Sequence, residues 1–497
     1  MEANDARWPP VADGITLYEH QRAGFERSMQ VFSGDGMHGY GFLFEMGLGK
    51  TLTAIATMGR LFEDGKIERV LICAPTSVCA VWPAELKRFA GFPHTCQMLV
   101  GDSTKRRRVL SGLRPRTPRT LLVATINYES TWRIEDDLAQ WAPDLIVCDE
   151  SQRIKNPRAA QSKALHRLGD RAKYKLILSG TPVSNSPLDL WSQYRFLNPF
   201  VFGTSYFQFE KKHAIMGGPV IGGKPRKLVG YRDLDGIMER AYTIASRATK
   251  ADALDLPEKT FENRPVPLSP TEMRAYRQMQ YESLVWLGAH ETSAPNVLTK
   301  MLRLQQITGG FLKPDDAGPT QQLGSSKLDA LRDIVEDYVL EEGRKLVVFF
   351  RFKAEGRAIC QMLDEMLKVP QGHPPAYGFI DGSVAQVERE GAVKRFQTSP
   401  DSKVFVTNID TGGLGITLHA ASCEVFYSLN FNYAAYAQAL DRVHRIGQRH
   451  PCHYIHLVAP GTIDEHVLAA LGAKQDMAVS LVDDQWKRIF EGGTNGR

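Results

Sequence analysis

The stretch Glu45-Met46-Gly47-Leu48-Gly49-Lys50-Thr51 constrains this chain more than any other. Ahead of it, Tyr40-Gly41-Phe42-Leu43-Phe44 is a short apolar run suited to a buried strand, and behind it Leu52-Thr53-Ala54-Ile55-Ala56-Thr57-Met58 has helical character. A strand, a glycine turn and a helix in that order bring backbone N–H groups and the positive end of a helix dipole to one point, where an anion is favoured. A lysine placed there reaches the β- and γ-phosphates of a phosphate chain, and the hydroxyl after it suits Mg2+. The expectation is a phosphate loop running from Glu45 to Thr51, with Lys50 on the phosphates and Thr51 on the metal. Phe44 stands where the common G-x-x-x-x-G-K-[ST] pattern has its first glycine.

At 497 residues the chain exceeds what one core usually supports, so two domains are expected. A hydrophobic share of 43% with 24% charged residues is ordinary for a globular protein and supports a large core. Sixty-one basic against 56 acidic residues leave +5, which permits a polyanionic partner without requiring one. Seven scattered cysteines, odd in number and without a C-x-x-C pair, argue against a disulfide framework or zinc site and for a reducing compartment. No run approaches the ~18 apolar residues of a membrane span, and no basic start with an apolar segment opens the chain. A soluble intracellular protein without a membrane partner is expected.

Further apolar runs recur along the chain. Arg69 to Pro75, Thr120 to Thr125, Leu145 to Asp149 and Tyr174 to Ser179 read as strands. The segments at Leu17 to Phe25 and Val81 to Phe89 read as helices, the latter with Pro83 in its first turn. Strands alternating with helices make a mostly parallel sheet, an α/β fold in which ligands sit at the carboxyl ends of the strands. Asp149-Glu150-Ser151-Gln152 emerges at one such end: Asp149 suits Mg2+ and Glu150 suits a base for an attacking water. Ser179-Gly180-Thr181-Pro182 ends the next strand and reads as a relay.

Met216 to Lys227 is Gly/Pro-rich with a basic end and reads as an exposed hairpin or loop, with a phosphate-contacting finger as the alternative. Segments 268–287 and 296–308 read as helices, and Gly309 to Ser326 as a linker. A second set follows: strands Lys345 to Phe350, Ala376 to Ile380 and Lys403 to Thr407, helices near 354–368 and 385–397, and the glycine turn Thr411 to Gly415. On a helix beginning at Gln438, Arg442 and Arg445 would share a face at i, i+3. Lys105-Arg106-Arg107-Arg108 reads as a solvated helix face.

In order, these words resemble the SNF2 family of helicase superfamily two ATPases. The matching ones are Glu45 to Thr51, Asp149 to Asn156, Ser179 to Asn185, Arg195-Phe196-Leu197-Asn198-Pro199, Thr411 to Gly415 and Arg442 to Gln448, within a resemblance running from about Leu17 to Asp464. The resemblance implies two RecA-like parallel-sheet lobes with small helical protrusions, ATP in the cleft with Mg2+, and duplex DNA across both lobes. By position, Gln21 would contact adenine, and Glu45, Met46, Gly47, Leu48, Gly49, Lys50, Thr51, Gly415 and Gln438 would line the nucleotide. Thr51 and Asp149 would serve Mg2+, Glu150 would be the base, and Arg442 and Arg445 the arginine fingers. Pro75, Thr76, Ser77, Thr125, Lys155, Asn156, Arg351, Thr407 and Asn408 would track the DNA backbone, since hydroxyls, amides and cations hold phosphates without reading bases. Two departures stand out: Phe44 where relatives often have aspartate, and Gln152 where they more often have histidine.

The domain reading is a first lobe over 1–245, a helical insertion and linker over 246–326, a second lobe over 327–470, and a helical tail over 471–497. With about 16 residues before Leu17 and a short tail, the chain reads as close to a bare motor. The expected activity is an ATP-driven translocase on double-stranded DNA, plain, forked or branched, acting as a monomer in the cytoplasm, or in the nucleus if eukaryotic, and able to remodel a protein partner. The alternatives are a fork-remodelling or annealing helicase, and a nucleic-acid-binding scaffold without turnover.

Overall fold

The computed structural model describes residues 10–482 apart from 35, 37, 116, 184–185, 218–226, 254–255, 290–293, 313–319, 368–374, 411–415 and 446. The side chain of Ser77 also lies outside this set, as do Gly415, Ser184, Asn185 and the tip of the 216–227 hairpin. The chain divides into two compact units, one up to Leu254 and one from Asp255 to Gln475. Among the described residues no helix is long and apolar enough to cross a membrane, and all seven cysteines are free thiols.

In the first unit the strands are β1 (His38–Phe44), β2 (Arg69–Ala74), β3 (His94–Met98), β4 (Leu121–Asn127), β5 (Leu145–Asp149), β6 (Tyr174–Leu178), β7 (Ala214–Gly217), β8 (Lys227–Tyr231) and β9 (Ala245–Ala248). Seven of them form one sheet in the order β3-β4-β2-β5-β6-β1-β9, every neighbouring pair parallel. The apolar runs of β1, β2 and β5, and of β6 apart from the buried Lys175, are what such a sheet demands, because alternate side chains feed two cores. Leu43, Leu71, Cys73, Ile146, Cys148 and Ile177 enter the core on one face, with Leu165, Leu168, Leu190 and Trp191 from helices. Phe42, Phe44, Val70, Ile72, Val147 and Leu178 enter the other. That second face is covered by α1 (Glu19–Ser33), α2 (Lys50–Glu63) and the helix Trp82–Phe89. β7 and β8 pair antiparallel, so the flanks of the Gly/Pro-rich segment form a hairpin.

The second unit contains β10 (Lys259–Pro265), β11 (Phe311–Leu312), β12 (Gln321–Gln322), β13 (Leu346–Phe350), β14 (Tyr377–Ile380), β15 (Val404–Asn408), β16 (Cys423–Phe426) and β17 (Cys452–Val458). Six build a second all-parallel sheet in the order β10-β17-β16-β13-β15-β14. A row of stacked rings runs across four neighbouring strands from the exposed edge inward, Phe261 to His456 at 6.3 Å, His456 to Phe426 at 5.1 Å and Phe426 to Phe349 at 5.3 Å.

The segment 246–326, read as helical insertion and linker, holds the helices Pro270–Ala289 and Ala294–Thr308 and also supplies most of β9 to the first sheet and all of β10 to the second. β3, β9, β10, β11, β12, β16 and β17 are absent from the sequence reading. β16 carries Glu424 and β17 carries His453 and His456, so neither reads as an apolar run, while β3 and β10 are edge strands, β3 mostly half-buried and β10 largely exposed.

Candidate active site

The sheet order β5-β6-β1 sets the carboxyl ends of three strands side by side, and Asp149 and Phe42 both pair in register with Leu178. The phosphate-type turn, the acidic pair and the Ser179 turn therefore leave the first sheet together.

Gly49 sits just ahead of α2 with φ 77°, in the left-handed region that favours glycine. A Cβ added there would lie 2.1 Å from Gln21 Nε2. Gln21 is buried: its Nε2 donates to Leu48 O at 3.0 Å and its Oε1 accepts from Tyr18 N at 3.0 Å. The glutamine read as an adenine contact thus also braces the turn from behind. Lys50 Nζ donates to Phe44 O at 3.0 Å and Glu45 O at 3.3 Å. Phe44 is a core residue, so the departure from glycine leaves its carbonyl facing the lysine and its ring in the interior. Glu45 is held from β9 and just beyond it: Lys250 N donates to Oε2 at 2.8 Å, and Arg247 lies 3.6 Å from Oε1. Arg247 Nη1 also donates to Leu43 O at 2.7 Å and Gly180 O at 3.4 Å, tying the turn to the end of β6.

Asp149 is 5% exposed. Its Oδ2 accepts from Trp82 Nε1 at 3.0 Å and its Oδ1 from the Glu150 amide at 3.0 Å. Burial, reinforced by the neighbouring Glu150 carboxylate, pushes the Asp149 carboxyl up to about 7 against the opposing pull of the Lys50 ammonium. Glu150 takes φ 54°, one of three non-glycine residues in the left-handed region among those described. Such a backbone costs about 1–3 kcal/mol and tends to sit at functional sites. Its Oε2 accepts from Gln152 Nε2 at 2.7 Å, Gln152 Oε1 accepts from Ser179 Oγ at 2.8 Å, and Ser179 Oγ accepts from Thr181 N at 3.1 Å.

The residues fit Mg2+ with a polyphosphate. A buried carboxylate strained by a second carboxylate is relieved by a divalent cation, oxygen donors are what Mg2+ takes, and Thr51 stands in the first turn of a 14-residue helix whose N-terminus favours phosphate. Gly180 leaves room next to the lysine: a Cβ there would lie 3.5 Å from Lys50 Nζ and 3.3 Å from Met46 N.

The residues read as tracking DNA are placed less uniformly. Pro75 is half-buried and Thr76 exposed. Thr125 is 0% exposed with its hydroxyl given to Cys79 O at 3.3 Å, so it is a core residue and not a surface contact. Thr407 is buried in β15, again contrary to the surface role expected of it. Lys155 pairs with Asp189 at 3.7 Å, and Asn156 Oδ1 caps Arg158 N at 2.9 Å. In the second unit Arg351 bonds Gln305, and Asn408 Nδ2 donates to Arg351 O at 2.7 Å.

Arg442 and Arg445 do not share a helix face. The helix Tyr433–Leu440 ends before them: Arg442 N turns back to Ala439 O at 2.9 Å, and the Leu440 carbonyl accepts from the Tyr454 hydroxyl at 2.8 Å. The turn brings the two guanidinium groups together all the same: both donate to Ile416 O, at 3.2 and 3.4 Å. Gln438 is half-buried on the preceding helix. Trp82 and Arg247 were not legible as site residues, since neither lies in a glycine turn or acidic pair.

The SNF2-related domain family matches residues 26–309, and the helicase conserved C-terminal domain matches 326–447. The chain belongs to the SNF2 family. The putative ATP-dependent helicase/translocase YwqA of Bacillus subtilis is 28% identical over 454 residues, covering 89% of this chain and 46% of the relative. The lymphoid-specific helicase of Homo sapiens is 26% identical over 521 residues, covering 91% and 61%. The TATA-binding protein-associated factor mot1 of Aspergillus fumigatus is 27% identical over 529 residues, covering 96% and 27%. The chain thus spans between about a quarter and three-fifths of these relatives. Among solved structures, the Sulfolobus solfataricus SWI2/SNF2 ATPase core in complex with dsDNA is 26% identical, covering 95% of this chain and 94% of that one, with a TM-score of 0.43.

Proposed function

We propose that the chain is an ATP hydrolase that couples turnover to movement along double-stranded DNA. The observation that carries this reading is the meeting of Lys50 and the buried Asp149–Glu150 pair at the carboxyl edge of one sheet. Family membership supports ATP as the substrate, and the relative named as a helicase/translocase supports a nucleic-acid track.

In this reading the turn Glu45 to Thr51 binds the phosphates through its amides and Lys50. Thr51 and Asp149 hold Mg2+, which neutralises phosphate charge. Glu150 orients the attacking water and receives its proton on a carboxylate oxygen, with Oε2 fixed by Gln152. Gln21 offers the second proton of its amide to an adenine edge. Arg442 and Arg445 supply guanidinium charge to the same nucleotide, a role worth roughly 10³–10⁵ in rate where measured. Thr76, Lys155, Asn156, Arg351 and Asn408 hold DNA phosphates.

Displacement of a third strand from a triplex tests movement without strand separation. ATP-dependent release of the third strand, with a forked duplex left annealed, is the expected result. Separation of the fork would favour a helicase, and neither product in the presence of ATP turnover would contradict translocation.

A further inference from the structure

Trp82 has no part in the chemistry above, yet it touches the residue on which the metal site turns. It opens the helix Trp82–Phe89, is 1% exposed, and its indole Nε1 donates to Asp149 Oδ2 at 3.0 Å. The other carboxylate oxygen accepts the Glu150 amide at 3.0 Å. An ionised carboxylate offers about four lone-pair sites, so these two bonds fix the plane of the group and leave acceptor positions for a cation. A buried indole needs a partner for its N–H, and this one is spent on a carboxylate instead of a backbone carbonyl.

We infer that Trp82 is a positioning residue whose indole N–H holds the Asp149 carboxylate in the orientation that receives Mg2+. The inference rests on the reading of Asp149 as the metal carboxylate and adds the residue that orients it. Outer groups that aim a metal ligand typically change metal affinity about 10–100-fold when removed. A purely packing role would make no distinction between metal-dependent and metal-independent binding.

The test is equilibrium binding of a fluorescent ATP analogue by anisotropy, in EDTA and across a Mg2+ series, for the full chain and for Trp82→Phe, Asp149→Asn and the double variant. The expected result is that Trp82→Phe binds the analogue in EDTA as the wild type does and needs about 10-fold more Mg2+ for the metal-dependent gain, the lower end of that range. In the Asp149→Asn background Trp82→Phe adds nothing. A Trp82→Phe titration that superimposes on the wild type, or losses that add in the double variant, would overturn the inference while leaving the site reading standing. A wild type without any Mg2+-dependent binding would overturn the site reading and this inference with it. Should Trp82→Phe fail to fold, the protein labelled with 15N-tryptophan decides: of its seven indole N–H resonances, one must shift both on Asp149→Asn and on adding Mg2+ to the ATP-bound protein. No such shared resonance would overturn the proposal.

Discussion

Gln152 joins two strand ends through one side chain: its amide donates to Glu150 Oε2 at 2.7 Å while its carbonyl accepts from Ser179 Oγ at 2.8 Å. Gln152 is therefore the link between the acidic pair and the Ser179 turn. Gln152→Ala leaves a buried carboxylate oxygen and a buried hydroxyl without these bonds. It should lower kcat about 10-fold or more, by loss of a bond to a charged group worth about 1.5–3 kcal/mol, with KM for ATP little changed. Ser179→Ala should act in the same direction, and the double variant should fall short of the product of the two. Steady-state phosphate release across the four proteins checks this; fully multiplicative losses would separate the two contacts.

Arg247 should matter to ATP binding although it lies outside the turn. It holds Leu43 O, Gly180 O and Glu45 at once, from β9. Arg247→Ala should weaken nucleotide affinity about 10-fold through a loosened turn, at the scale of a charge-assisted bond of about 1.5–3 kcal/mol. Isothermal titration with a non-hydrolysable ATP analogue checks it, and unchanged affinity would show that the turn holds its shape alone.

Glu424 makes a pH-dependent prediction in the second unit. It is fully buried in β16, and beyond a weak contact with the Val443 backbone its carboxyl oxygens find no hydrogen-bond partner among the described residues. Burial, and after it the nearby Asp441 carboxylate, pushes the carboxyl well above its usual range, while Lys259 and Arg442 oppose the shift. Above pH 4.5 the folded chain therefore binds more protons here than the unfolded chain, so this group's contribution to stability falls as pH rises. Glu424→Met should stabilise the protein by about 1–3 kcal/mol at neutral pH, the cost of an unsatisfied buried polar group, and flatten the decline of Tm with pH. Thermal melts from pH 5 to 9 check it; a destabilised variant with an unchanged pH slope would contradict the account.

The parallel sheets were legible wherever a strand is buried on both faces. β1, β2, β5 and β6 are mostly apolar runs, β6 despite its buried Lys175, and fell within a residue or two of their expected bounds. β16 and β17 were not, because Glu424, His453 and His456 break the pattern, and the histidine that stacks between Phe261 and Phe426 looks polar only in the sequence. The turn and the acidic pair were legible because their chemistry is local. Thr125 was misjudged as a surface contact since a threonine at a strand end looks the same whether its hydroxyl meets solvent or Cys79 O. Trp82 and Arg247 reach the site from 67 and 67 residues away along the chain, to Asp149 and Gly180 respectively, and no local pattern announces such contacts.

The central claim is that the buried Asp149–Glu150 pair and the Lys50 turn form a working hydrolase driven by DNA. Phosphate release measured with and without duplex DNA, for the wild type beside Glu150→Gln at one stated salt concentration, tests it most directly. DNA-stimulated release by the wild type is expected, together with a Glu150→Gln protein that binds ATP and DNA but does not turn over. Equal and negligible rates for the two proteins, with duplex DNA bound by both, would contradict it and leave a nucleic-acid-binding scaffold.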